Sequence, residues 1–312
     1  MFYRKVIVFI VLGIFSCVSI FGQNIAEVKE FERARRIIPV SISLNIFGFG
    51  IGSFIQGDYK NAFFKVDEKR ITNWRKLSGG NHIRSFCADG EKYVIRKFRQ
   101  PHPRTAAAER AAYTALSPLG VAEEVLYLDD AGIKIARFIE EEHLGFCDRD
   151  QEDSINLLRK VHENAPAIPY SYDIFAGIDY WASLCRDPNS DHLKTLRGNK
   201  AEIDKIKAGL DSMDIKKVLC HGDPCAISNM LRLKDGSIRI IDWEYAGMAD
   251  PFMDLALACV RQGVENINPL RSLERYLRRK PGGEETFRLK AYNALGAFEL
   301  AAWKSAIQGE GF

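Results

Sequence analysis

Between Val218 and Ala256 the sequence concentrates its chemistry-bearing side chains in two pieces joined by a tight turn. The first reads Val218-Leu-Cys-His221-Gly-Asp223-Pro-Cys-Ala-Ile-Ser-Asn229-Met-Leu231. The second reads Ile238-Arg-Ile-Ile-Asp242-Trp-Glu-Tyr-Ala-Gly247-Met-Ala-Asp250-Pro-Phe-Met-Asp254-Leu-Ala256, with Lys234-Asp235-Gly236 between them. An Asp-Gly pair between short apolar runs folds a chain back as a hairpin. The strand ending at Asp242 then returns beside Asn229, bringing an amide and a carboxylate to one hard divalent cation. Asp223 adds a carboxylate able to take a proton. Any fold for this chain has to bring these groups together.

Upstream, Ile83 to Cys87, the turn Ala88-Asp89-Gly90, and Lys92 to Phe98 alternate and break as two antiparallel strands do. Ala106 to Leu116 reads as an Ala-rich helix. Glu124 to Leu128, the turn Asp129-Asp-Ala-Gly132, and Ile133 to Ile139 read as a second hairpin. Beyond Glu140 the periods are helical: Ser154 to His162, Ser171 to Cys185, Lys200 to Met213, Asp254 to Gln262 and Thr286 to Ile307. A small sheet with one helix is thus followed by a mainly helical half, with no internal repeat.

At 312 residues the chain is long enough for roughly two domains. With 46% hydrophobic and 27% charged residues it has ordinary globular usage. Forty-four basic against forty-one acidic residues leave no field for nucleic acid, and Arg33/Arg35/Arg36 and Arg275/Arg278/Arg279/Lys280 read as solvated faces. The seven cysteines are odd in number and contain no C-x-x-C pair, which suits a reduced compartment. The head differs. Arg4 and Lys5 precede the uncharged run Val6 to Gly22, and a second uncharged run spans Ile37 to Gly57. These predict a signal-like or membrane-anchoring leader over 1–64, with membrane contact through residues 6–57.

His221-x-Asp223, the following Asn229, and Ile241-Asp-Trp-Glu-Tyr-Ala-Gly-x-x-Asp-Pro-x-x-Asp-Leu-Ala256 together resemble the choline/ethanolamine kinase and aminoglycoside phosphotransferase superfamily. Asp242 to Gly247 is most similar to its bacterial LicA-type choline kinases. The likeness extends to Leu77-Ser-Gly-Gly-Asn81, Tyr93-Val-Ile-Arg96, Glu109 and Leu158-Arg-Lys-Val-His162. It implies an α+β, two-lobed, protein-kinase-like fold. An antiparallel-sheet, nucleotide-binding N-lobe would occupy 65–140 and a helical catalytic and acceptor-binding C-lobe 141–312. It also implies ATP and Mg2+ as cofactors, with Gly79, Gly80 and Asn81 as phosphate loop, Arg96 as basic phosphate contact and Glu109 as its helix partner. Asp223 would be the catalytic base, Asn229 and Asp242 the metal ligands, and Asp254 the brace for His221. Pro224 to Ser228 make the spacing one residue longer than the family's, so either the loop bulges or the metal site shifts.

The implied acceptor is choline, and the chain is expected to be a choline-kinase-like phosphotransferase with its body cytoplasmic, anchored to the inner membrane through the leader. A quaternary ammonium has no hydrogen to donate, so its site needs aromatic faces and a carboxylate. Trp243, Tyr245, Trp303 and Glu244 supply those types, and Asp250 lies in the same motif. Ethanolamine, thiamine and aminoglycosides are the alternative acceptors. A membrane-tethered pseudokinase and a secreted binding module are the alternatives of other classes.

Overall fold

The computed structural model describes residues 72–77, 82–97, 105–130, 132–140, 142–145, 147–187, 189–261 and 268–308. The apolar leader and the Gly79-Gly80-Asn81 loop lie outside them. Among the described residues no helix is long and apolar enough to cross a membrane.

The first half is one antiparallel sheet. Strands β1 (Thr72–Lys76), β2 (His82–Ala88), β3 (Glu91–Lys97), β4 (Val125–Leu128) and β5 (Lys134–Arg137) lie in the order β1-β2-β3-β5-β4. Asp89 and Gly90, with φ of 53° and 82°, make the left-handed two-residue turn that matches the twist of β2 and β3. Alternate residues Phe86, Tyr93, Ile95, Tyr127, Ile133 and Ile135 form a core of their own on one face. Helix α1 (Thr105–Leu116) buries Ala108, Glu109, Ala112, Ala115 and Leu116.

The second half holds helices α2 (Asp148–Asn164), α3 (Ile174–Ser183), α4 (Asp191–Gly198) and α5 (Lys200–Asp211). After them come β7 (Val218–Cys220), the single turn α6 (Ala226–Asn229), β8 (Met230–Arg232), β9 (Ile238–Ile240), β10 (Gly247–Ala249), α7 (Pro251–Arg261), α8 (Pro269–Leu277) and α9 (Gly283–Gln308). The short strand β6 (Glu142–His143) pairs with β8, and β8 with β9; β7 pairs with β10. Helix α9 buries Leu289, Tyr292, Leu295, Glu299, Ala302 and Ala306, a three-to-four-residue stripe that lies on α3 and α7. A larger core centred on Leu158, Leu219, Met230, Ile240, Trp243, Met253 and Leu295 is separate from that of the sheet. Two cores give two lobes, the α+β arrangement expected.

Three details differ from the sequence reading. The helix expected from Ser171 starts at Ile174, because the Asp173 carboxylate caps it at Phe175 N (3.0 Å) while Ser171 pairs with Met248 across an extended segment. The strand expected to end at Asp242 ends at Ile240, and Asp242 turns left-handed (φ 66°, ψ 58°) into a 3-10 turn, Trp243–Tyr245. Strands β1, β6, β7 and β10, the single turn α6 and helices α4 and α8 were not expected. The start signals of α4 and α8 are present in the sequence, Ser190 before α4 and Asn268-Pro269 before α8, but both helices are short.

Candidate active site

Asp223 stands on a loop held by its main chain. The buried Asp254 carboxylate accepts from His221 N (2.7 Å), Gly222 N (2.9 Å) and the His162 ring (3.2 Å). Burial by itself pushes that carboxyl up, but the His162 and His221 contacts outweigh it and hold it below its usual value. Gly222 has φ +81°, and a Cβ there would lie 2.6 Å from the Tyr245 carbonyl, so no other residue fits between His221 and Asp223. The Asp223 N–H donates to His221 Nδ1 (3.0 Å), which makes Nδ1 the acceptor and leaves Nε2–H to donate to Ile241 O (2.9 Å). Asp254 therefore braces the backbone of His221, and the ring of His221 ties the Asp223 loop to the residue before Asp242.

Asn229 reaches the same place. Its side-chain amide donates to Asp223 O (2.8 Å), and its own carbonyl accepts Ile241 N (2.9 Å). Between Asp223 and Asn229 the chain makes α6, whose turn closes with Asn229 N on Cys225 O (2.8 Å). With that turn in place Asn229 lies beside Asp223 and, through Ile241, next to Asp242. A left-handed non-glycine such as Asp242 costs on the order of 1 to 3 kcal/mol, so its surroundings must hold it.

Those surroundings are a buried charge cluster between the lobes. Arg96 from β3 pairs with Glu109 of α1 (2.5 Å), with Asp242, and with Glu244 (3.3 Å). Lys134 from β5, which the sequence reading did not single out, pairs with Glu123 (2.6 Å) and Glu109 (3.2 Å) and lies 3.8 Å from Asp242. Burial would raise the Asp242 carboxyl, but Arg96 and Lys134 outweigh it and hold it low. Burial, reinforced by Asp242, pushes Glu244 up to about 8. Two cations thus face four carboxyls, and one carboxyl retains its proton near neutral pH. The cluster is short of positive charge. A hard divalent cation held by Asp242 and the Asn229 side-chain oxygen, with Glu244 adjacent, fits that donor set.

On the other side of Asp223 lies a second unforeseen group. Arg261, at the end of α7, pairs with Asp223 Oδ1 (2.8 Å) and Glu299 of α9 (2.8 Å), and its guanidinium lies 5.9 Å from the Tyr245 ring centre. Tyr172 donates to the other Glu299 oxygen (2.6 Å). The sequence signal for Glu299 was a lone acid in the apolar stretch Leu295 to Trp303.

Two of the residues expected to line an acceptor are used otherwise. Trp243 is fully buried, its indole N–H donating to Ile240 O (3.0 Å) and its ring against His221, so it offers no face to a ligand. Asp250 is buried in a two-pronged pair with Arg288 (2.7 and 2.8 Å) that ties the start of α7 to α9. Glu244 is engaged by Arg96, and Tyr245 lies under Arg261. Trp303 is half-buried, one helical turn beyond Glu299.

No curated protein matches the chain. Among solved structures the fold is like that of choline kinase LicA from Streptococcus pneumoniae (TM-score 0.65, 19% identity, 78% of this chain and 88% of that one). It is also like that of a choline/ethanolamine kinase family protein from Mesorhizobium loti (0.62, 21%, 77% and 81%). A microcompartment-associated aminopropanol kinase is similar as well (0.61, 16%, 82% and 90%). The family model described as phosphotransferase enzyme family (APH) matches residues 73–289, well over half the chain, and takes in the site from Arg96 to Arg288. With the sheet lobe from residue 73, the helical lobe as far as residue 289 and the Asp223–Asn229–Asp242 constellation inside that match, the chain belongs to the phosphotransferase enzyme family.

Proposed function

We propose that this phosphotransferase uses ATP and magnesium to phosphorylate the hydroxyl of a small amino alcohol, with choline as the acceptor to which the Asp242 to Gly247 resemblance points. The observation that carries the reading is the meeting of Asp223, Asn229 and Asp242 beneath a buried Arg96–Glu109 pair. LicA, whose fold is similar, has a structure in complex with AMP.

In this reading Asn229 and Asp242 hold the magnesium, which when bound neutralises charge on the phosphates. Arg96, released from Asp242, meets the phosphates while Glu109 keeps its guanidinium in place. Arg261 holds Asp223 Oδ1 and so aims Oδ2 at the acceptor. The acceptor hydroxyl gives its proton to Asp223 as its oxygen bonds the γ-phosphorus; the bond to the β–γ bridging oxygen breaks and ADP leaves. The same reading puts the body on the cytoplasmic side, where ATP is found.

A second acceptor reading rests on a specific observation. Trp243 is sealed in the core and Arg261 already lies over Tyr245, so two of the three expected aromatic faces are taken. An ammonium that donates hydrogen bonds, as in ethanolamine, needs carboxylates rather than faces. A panel of choline, ethanolamine and related amino alcohols with ATP and magnesium, read as phosphorylated product, tests both. Product from choline above all others supports the first reading, product from primary amines the second. Magnesium-dependent nucleotide binding without product from any acceptor sinks the transferase reading in favour of a pseudokinase.

A further inference from the structure

Arg96 and Lys134 are directly opposed across β3 and β5, and their side chains are only 3% and 4% exposed. Two like charges so placed in a dry sheet repel unless carboxylates lie between them. Glu109 does so, taking Arg96 on one oxygen and Lys134 on the other. Lys134 then continues where Arg96 does not. It donates to Glu123 Oε1 (2.6 Å) and to the Tyr113 hydroxyl (2.9 Å), and Tyr113 in turn donates to Glu123.

The Glu123 oxygen that receives Lys134 also accepts the main-chain N–H of Asp242 (3.1 Å). The neighbouring chain is fixed as well: Ile240 N donates to Val121 O (2.7 Å) and Ala122 bridges to Ile240. Glu123 is therefore anchored against the segment that carries Asp242, and Lys134 fixes the carboxylate that meets its backbone. The two cations divide the work. Arg96 binds the Asp242 side chain, a contact that a metal ion would replace. Lys134 acts chiefly through Glu123 on the Asp242 main chain, a contact that survives when the side chain turns to the metal.

We propose that Lys134, through Glu123 and Tyr113, is a positioning residue that clamps the left-handed main chain of Asp242 and thereby presents its carboxylate to the divalent cation. The inference rests on the phosphotransferase reading for what Asp242 holds. Partners that orient a metal ligand typically change metal affinity about 10- to 100-fold when removed.

The test uses the full chain with a non-hydrolysable ATP analogue and Mn2+ as paramagnetic probe, together with nucleotide binding in EDTA and thermal unfolding. Lys134→Met is expected to weaken Mn2+ binding about 10-fold or more while nucleotide binding in EDTA stays near that of the parent. Lys134→Arg is expected to recover most of the loss. Glu123→Gln, which keeps an oxygen for the Asp242 N–H but loses the charge that draws Lys134, is expected to fall between, and it serves where Lys134→Met does not fold. A lowered melting temperature with Mn2+ affinity unchanged in the folded variants would make Lys134 a structural ion-pair partner only and overturn the proposal. A parent chain that binds nucleotide but no Mn2+ overturns the phosphotransferase reading and the clamp with it. A parent that binds Mn2+ as its variants do overturns the clamp alone.

Discussion

Asp223 illustrates how little of a site residue's setting belongs to the residue. Its backbone N–H is fixed by His221, its carbonyl by Asn229, and one carboxylate oxygen by Arg261. Asp223→Asn keeps the shape and loses the basicity, so the transfer rate should fall on the order of 10² to 10⁴ with nucleotide affinity almost unchanged. Steady-state rates beside equilibrium nucleotide binding check this, and a near-parental rate removes Asp223 from the role of base. Asp254 makes a different prediction, about stability. Its folded pKa lies below the ordinary value of 3.8, so below that range the unfolded chain takes up the proton first and stability falls as pH falls. Above it, this contribution is fully present. Asp254→Asn should cost about 3 kcal/mol near neutral pH, because buried donors lose a charged acceptor. It should also flatten the acid limb of the stability curve. Denaturant melts of both chains from pH 3 to 7 measure the difference; parallel curves would show that Asp254 is not the group responsible.

At the scale of elements, close approach of backbones sets what substitutions the site tolerates. A Cβ on Gly247 would lie 2.5 Å from Tyr172 N and 2.8 Å from Ser171 C, main-chain atoms with no rotamer by which to move aside. Gly247→Ala should therefore push β10 off the segment before α3, at about 1 to 3 kcal/mol. Because Tyr172 also holds Glu299, the environment of Arg261 should shift with it. A melt unaltered by this substitution would mean the segment yields freely. Much at this scale was legible in the sequence. The Asp89-Gly90 and Lys234-Asp235-Gly236 turns marked two hairpins, and Ala106 to Leu116 marked α1 almost to the residue. What was not legible depends on pairing between distant segments. Lys134 sits in an ordinary-looking Ile-Lys-Ile-Ala run and gains its meaning only from lying opposite Arg96. Arg261 and Glu299 meet across two helices. Trp243 reads as an aromatic beside a carboxylate, and only the turn at Asp242 reveals that its ring points into the core.

For the molecule as a whole, the charged contacts between lobes among the described residues gather around Asp242, beside the packing of Ala112, Ala115, Leu116 and Val121 into the larger core. The sheet lobe contributes Arg96 and Lys134, α1 contributes Glu109, the segment before β4 contributes Glu123, and all of them meet at or beside Asp242. With Glu244 pushed toward its protonated form, Glu109, Glu123 and Asp242 still stand against two cations, so the junction holds more negative charge than it can neutralise. A divalent cation arriving with nucleotide phosphates should therefore strengthen the contact between lobes beyond what the nucleotide does alone. A ligand that binds only the folded chain, at 100 times its dissociation constant, adds about 2.7 kcal/mol of stability. For a body of this size that is a rise of roughly 5 to 10 °C in melting temperature. The expected pattern is a full rise with nucleotide and magnesium together and a smaller one with nucleotide in EDTA. Asp242→Ala should remove the magnesium-dependent part and leave the EDTA part in place. Asn229→Ala should do the same if α6 holds its amide at the metal; if it does not, the turn has drawn Asn229 away from that role and left Asp242 to carry the metal with Glu244. Thermal unfolding of the three chains at matched nucleotide excess distinguishes these cases. A rise in the parent that is indifferent to magnesium would mean that the junction takes up no divalent cation with the nucleotide.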